Sequence, residues 1–366
     1  MNKKELELYI HIPFCVRKCS YCDFLSAPAT EQTREAYMAA LFAEIGGRAK
    51  DYSDRTVTSI FIGGGTPSLL SGEQIGQLMD RIREQFAMAQ DAEITMEVNP
   101  GTVSAEKLRN FYTAGINRLS IGMQSAQAEE LKNLGRIHDF EGFCQVYREA
   151  VEAGFTNINV DIMSGLPGQT LASYRDTLEK VLHLEPMPQH ISAYSLIVEE
   201  GTPFAAMAER GELPLPEEET ERAMYEETIE VLAKYGFHRY EISNYARDGY
   251  ECRHNVGYWI RRDYLGFGIG AASLIDNVRF QNEKSLGAYL AHPLESREEE
   301  QTLTVQDRME ETMFLGLRLT RGVSCVDFAE QYGRTVEEVY GEVIARNVAD
   351  GLLTVTERKE NQKKDR

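Results

Sequence analysis

Apolar and polar residues alternate in the run Leu6-Glu7-Leu8-Tyr9-Ile10-His11-Ile12, the period-two pattern of a β-strand with two unlike faces. Five more short runs rich in Val and Ile follow, at 57–62, 92–98, 118–123, 157–162 and 190–196, separated by longer amphipathic stretches that predict helices. Six βα units in series predict a partial parallel (βα)6 barrel, because right-handed crossovers curl the sheet in one direction. A doubly wound open sheet is the alternative α/β arrangement.

Polar residues interrupt these strands at their C-terminal ends: Glu97, Gln124, Asp161 and Ser195. In a parallel barrel all four gather at one mouth, the face that carries cofactor and catalytic groups. After Gly201-Thr202-Pro203 the pattern loosens. The Pro- and Glu-rich stretch 213–220 reads as a turn and cap before a helix through Tyr235. The expected organisation is a barrel unit over 1–236, an aromatic and Gly-rich segment over 237–300, and a small helical, winged-helix-like module over 301–366. The spacing of Met309, Met313, Phe314 and Leu317, then of Val336, Val339, Val343 and Ile344, carries the last unit. Its expected end is a strand at Leu352-Leu353-Thr354-Val355 and a basic, solvated tail from Arg358 to Arg366.

Composition narrows the function classes. The chain has 366 residues, 42% hydrophobic and 27% charged, enough for a sizeable core, and no apolar run of membrane-spanning length. A formal charge of −19 disfavours nucleic acid as a partner. The N-terminal residues enter a strand directly, without the apolar core of a signal peptide, so a cytoplasmic location and reduced thiols are expected.

Three of the six cysteines form Cys15-x3-Cys19-x2-Cys22 just after the first strand. Structural zinc calls for four protein ligands, and no second cluster of suitable spacing follows. Three thiolates suit a [4Fe-4S] cluster with one iron left for another ligand. Of the remaining cysteines, Cys144 and Cys325 are expected to be small buried hydrophobes on helices. His138 is expected to order its loop rather than to react.

With Gly63-Gly64-Gly65-Thr66-Pro67 after the second strand, the cysteine motif resembles the radical S-adenosylmethionine (SAM) superfamily. The resemblance extends over nearly the whole chain to the branch of oxygen-independent coproporphyrinogen III oxidases and HemW heme chaperones. It is carried by Glu97-Val98-Asn99-Pro100, Gln124-Ser125, Gly135-Arg136-Ile137-His138, the run from Asp161 to Thr170, and His254-Asn255-x2-Tyr258-Trp259. It implies a [4Fe-4S] cluster on Cys15, Cys19 and Cys22. It also implies SAM contacts at Tyr9, Tyr21, Gly64, Gly65, Thr66, Glu97, Gln124, Arg136, Asp161 and Ser195.

Two features lean towards the chaperones. Phe24 stands where the oxidases resemble a fourth cysteine, and only fourteen residues precede Cys15, where the oxidases carry an extension. The motif from His254 to Trp259 resembles the chaperones. By itself it reads as a buried aromatic cluster; the resemblance makes His254, Tyr258 and Trp259 candidate heme contacts, with Cys252 and His238 as weaker ones. Many relatives have His where this chain has Ala272. The expected function is therefore heme binding and transfer to acceptor proteins, with an electron donor needed for any SAM cleavage. Oxidative decarboxylation of coproporphyrinogen III is the alternative, and radical modification of RNA or protein is more distant. No catalytic residue is assigned, and oligomeric state is left open.

Overall fold

The computed structural model describes residues 3–295 and 297–356. Six parallel strands follow one another in space as in sequence: β1 (Lys4–Ile12), β2 (Arg55–Gly64), β3 (Ala87–Val98), β4 (Arg118–Gln124), β5 (Ile158–Ser164) and β6 (His190–Ser195). Each predicted run is a strand, with β2 and β3 beginning earlier than their apolar residues indicate. Helices α1 (Glu31–Arg48), α2 (Gly72–Gln85), α3 (Ala105–Thr113), α4 (Ala128–Leu134), α5 (Phe140–Glu152) and α6 (Leu171–Leu182) fill the crossovers. This is the expected partial barrel.

Strand alternation sorts side chains between two environments. Leu6, Leu8, Ile10 and Ile12, with Ile60, Ile62, Met96, Ile121 and Val160, are buried in the main hydrophobic core with helix residues such as Leu41, Leu78 and Phe143. The intervening positions Glu7, Tyr9, Ser59, Thr95, Arg118, Ser120, Asn159 and Asp161 belong to the opposite, concave face. That face is polar.

After β6, α7 (Pro203–Glu209) and α8 (Glu218–Lys234) lead into the aromatic segment. The segment is more regular than its composition indicates, containing β7 (His238–Arg239), β8 (Asn244–Ala246), α9 (Arg253–Trp259), β9 (Tyr264–Phe267), β10 (Ala272–Ile275) and β11 (Val278–Asn282). Then come α10 (Leu286–Ala291) and β12 (Arg297–Thr302). The sheet order is β12-β11-β10-β9-β1-β2-β3-β4-β5-β6-β8-β7, so β9 adds to β1 in parallel and β8 adds to β6 antiparallel. The Gly-rich turn at 268 is locked from outside: Glu44 of α1 accepts from the Gly268 amide (2.9 Å), Asn282 (2.7 Å) and Tyr289 (2.6 Å). Gly268 has φ +94°, and a Cβ there would lie 2.2 Å from the Tyr37 hydroxyl.

The C-terminal region is helical, with α11 (Val305–Gly316), α12 (Cys325–Tyr332) and α13 (Val336–Ala349) packed around Met309, Phe328 and Val336. Two expectations fail here. Residues 352–355 form no strand, since three of the four carry apolar side chains with no paired neighbour to receive them. Cys325 is exposed rather than buried, because it opens α12 on the solvent side. The basic tail, Arg358 to Arg366, lies outside the described residues.

Candidate functional site

The mouth of the barrel is a cleft of about 300 Å³, lined by the cysteine loop, the glycine turn after β2 and the ends of β3 to β6. It contains Cys15, Cys19, Cys22, Tyr21, Gly64, Gly65, Thr66, Glu97, Gln124, Arg136, Asp161 and Ser195. Tyr9 is the exception. It lies deeper on β1, its hydroxyl 3.0 Å from His11 Nδ1 and its ring stacked on Phe61.

The cysteine loop is closed at its base, where Cys15 N donates to Ala27 O (3.2 Å) and Ala27 N to Pro13 O (3.0 Å). Farther out, Ser20 N donates to Leu134 O and Phe204 N to Ser20 O, both at 3.0 Å, which fixes the loop between α4 and α7. All three thiols are free and half-buried. They do not meet at a point: among the described residues no three His, Cys, Asp or Glu side chains could hold one ion. A cubane takes one thiolate at each of three irons, so it asks for thiols spread around a centre.

The glycine turn packs closely against the end of β1 and the start of the cysteine loop. Gly64 has φ +115°, and a Cβ on Gly65 would lie 2.7 Å from Phe14 O. The Gly64 amide donates to Glu97 Oε2 at 3.0 Å. Burial, and secondarily the charge of Asp161, push the Glu97 carboxyl up to about 8. Burial also raises Asp161, opposed by hydrogen bonds from Asn159 (2.7 Å) and Ser120 (3.1 Å). Gln124 sits at φ +70° where β4 slips register against β5, and it accepts from the Tyr194 hydroxyl at 2.9 Å. Such backbone strain concentrates at functional sites.

Three cleft residues were given no ligand contact in the sequence reading. Asn99 links Thr66 (2.9 Å) to Arg136 (2.7 Å). Tyr194 holds Gln124, as above. His138 Nε2 donates to Met123 O at 3.2 Å, which makes Nδ1 the lone-pair nitrogen; Nδ1 is buried at the cleft wall without a partner. Burial and the nearby Arg136 lower His138 to about 4, so its imidazole is neutral. An orphaned acceptor beside two carboxyls and a guanidinium suits a ligand with hydroxyl, amino and carboxylate groups, as SAM has.

Around the cleft stand four exposed apolar side chains: Val16 (54% exposed), Phe24 (63%), Ile137 (50%) and Ile197 (68%). They come from the cysteine loop, the loop after α4 and the segment after β6. Their clustering leaves an apolar rim over a polar floor.

The expected heme residues lie elsewhere. His254 is 1% exposed and sits against Ser59. Ser59 is five residues, about 16 Å of strand, from the end of β2 at Gly64. Its Nδ1 pairs with Ser59 Oγ (2.9 Å) and its Nε2 with Tyr258 Oη (3.0 Å), so neither nitrogen is free. Burial lowers it to about 3, keeping it neutral. The Glu93 carboxylate caps α9, accepting from the amides of Arg253 (3.1 Å) and His254 (3.2 Å), and Cys252 Sγ also points to it (3.6 Å). Trp259 lies under the Arg318 guanidinium, 4.2 Å from its ring centre. His238 is half-exposed and pairs with Glu251 at 2.7 Å. In this conformation the HNxxYW motif is an internal plug with a satisfied histidine, the physical reason being the polar concave face it must fill. Ala272 is exposed at the start of β10.

Comparison with known proteins places residues 9–181 in the radical SAM superfamily and residues 303–359 with the HemN C-terminal domain. The chain is 40% identical to the heme chaperone HemW of Bacillus subtilis, covering 94% of this chain and 92% of that one. It is 37% identical to the heme chaperone HemW of Escherichia coli, covering 95% and 92%. The solved structure of the radical SAM enzyme coproporphyrinogen III oxidase (HemN) from E. coli superposes with a TM-score of 0.84 at 28% identity, covering 97% of this chain and 86% of that one.

Proposed function

The chain belongs to the HemW family of the radical SAM superfamily, and from that premise we propose that it binds heme and hands it to acceptor proteins. The observation that carries this reading is the apolar rim at the barrel mouth. A porphyrin is flat and largely apolar, and Val16, Phe24, Ile137 and Ile197 offer it an exposed apolar surface at one opening. We place the heme there rather than on His254, whose two nitrogens are already engaged.

In the same proposal Cys15, Cys19 and Cys22 hold a [4Fe-4S] cluster. The glycine turn, Glu97, Asp161, Gln124, Arg136 and Ser195 hold SAM, with Tyr21 and Thr66 beside it. When bound, the cluster supplies an open iron for SAM and a route for an electron from a donor protein. The chain's own groups orient and select: Arg136 meets a carboxylate, Glu97 and Asp161 meet hydroxyls and positive charge, and the Gly64 and Gly65 backbone admits close approach. Tyr9 acts from below, supporting the floor through Phe61 and His11. Among the described residues no helix is long and apolar enough to cross a membrane.

Phe24 favours the carrier over coproporphyrinogen decarboxylation, since it puts an exposed aromatic ring where the oxidases resemble a cysteine. The test is heme affinity of Phe24→Ser and Ile197→Ser in cluster-loaded protein. Each removes apolar area from the rim and should weaken heme binding about tenfold, equivalent to about 1.4 kcal/mol. Wild-type affinity in both would remove the rim from the account.

A further inference from the structure

Two of the three motif thiols face hydrogen-bond donors from outside their own loop. Thr66 Oγ1 donates to Cys15 Sγ at 3.4 Å. Arg136 Nη1 faces Cys19 Sγ at 3.9 Å. The first contact is the end of a longer chain. Arg136 Nη2 donates to Asn99 Oδ1 (2.7 Å) and to Gly122 O (2.7 Å); Asn99 Nδ2 donates to Thr66 Oγ1 (2.9 Å).

The polarity of that chain is determined. A guanidinium has only donors, so the Asn99 oxygen must face Arg136 and its NH2 must face Thr66. The Thr66 hydroxyl, having accepted from Asn99, is left with its proton to give to Cys15. Thr66 is 3% exposed, so water does not compete. Asn99 cannot flip without setting two donors against each other at Arg136.

We propose that Arg136, Asn99 and Thr66 form a one-way hydrogen-bond relay that tunes the cluster held by Cys15, Cys19 and Cys22. The proposal rests on the reading that these cysteines hold a [4Fe-4S] cluster. Donors to ligating sulfurs draw off negative charge and stabilise the reduced state, so the relay raises the cluster's reduction potential. Thr66 is a positioning and tuning residue: it touches a ligand sulfur and needs no contact with SAM to act. The threonine of the glycine turn thereby has a role distinct from the turn itself.

The experiment compares wild type, Thr66→Val and Thr66→Ser, each reconstituted anaerobically, by iron and sulfide content and by potentiometric titration of the reduced cluster followed by electron paramagnetic resonance. Valine matches threonine in shape but lacks the hydroxyl; serine keeps it. At equal iron content, Thr66→Val should show an about tenfold lower reduced-to-oxidised ratio at a fixed potential, about 59 mV for a one-electron couple, while Thr66→Ser stays at the wild-type midpoint. Loss of iron from the valine variant alone would also assign the hydroxyl to the cluster. Equal midpoints in all three overturn the relay. A wild-type chain that takes up no iron and sulfide overturns the cluster reading beneath it, and the relay with it.

Discussion

The Gly64 amide and the Glu97 carboxylate are joined at 3.0 Å, tying the glycine turn after β2 to the end of β3. The carboxyl titrates at about 8, so at pH 7 the free protein holds it mostly neutral. SAM carries a sulfonium, which favours the anion. Charging Glu97 on binding costs less as pH rises, so SAM affinity should increase from pH 6.5 to pH 8, by up to about tenfold per unit, and level above it. Isothermal titration at several pH values measures this, and Glu97→Gln should flatten the profile. An unaltered slope in the variant would take Glu97 out of the site.

Gly65→Ala tests the closeness of the turn to the cysteine loop. The added Cβ would meet Phe14 O at 2.7 Å and Phe14 N at 2.9 Å, both backbone atoms that cannot rotate away. One of the two segments must move, carrying with it either the Cys15 thiol or its Thr66 donor. Anaerobic reconstitution should give a much lower iron content than wild type, with a loss of stability on the order of 1–3 kcal/mol by thermal unfolding. Normal iron uptake would mean the loops have more room than the geometry allows.

His254→Ala separates an internal plug from a heme ligand. The substitution leaves Ser59 and Tyr258 without their partner inside the barrel, where an unsatisfied polar group costs about 1–3 kcal/mol in addition to the cavity. The predicted result is a lower melting temperature with heme affinity unchanged. A variant that keeps its stability but loses heme would restore His254 as a ligand and count against the rim.

The barrel was legible because its strands are written twice. Leu6, Leu8, Ile10 and Ile12 record the face against the helices, and Glu7, Tyr9 and His11 record the concave one. The flanking strands were not, for β7 has two residues, β8 has three, and β12 is Arg-Glu-Glu-Glu-Gln-Thr with no apolar residue to mark it. At the mouth, the cysteines, the glycine turn and the polar strand ends could be read because each lies in a short local pattern. The rim could not, since Val16 and Phe24 of the cysteine loop meet Ile137 and Ile197, each from a distant segment, only through the topology. The burial of His254 was legible in the motif, which by itself reads as a buried aromatic cluster; its partners Ser59 and Glu93 were not, for they look like mere polar breaks in two apolar runs.

The central claim is that the chain carries heme and does not decarboxylate a porphyrinogen. One anaerobically reconstituted, cluster-loaded sample, divided between a spectral heme titration and a coproporphyrinogen assay with reductant and SAM, tests it most directly. The account predicts a saturating Soret shift near one heme per chain, retained on gel filtration, with no protoporphyrinogen formed. Turnover of coproporphyrinogen without stoichiometric heme retention would contradict it.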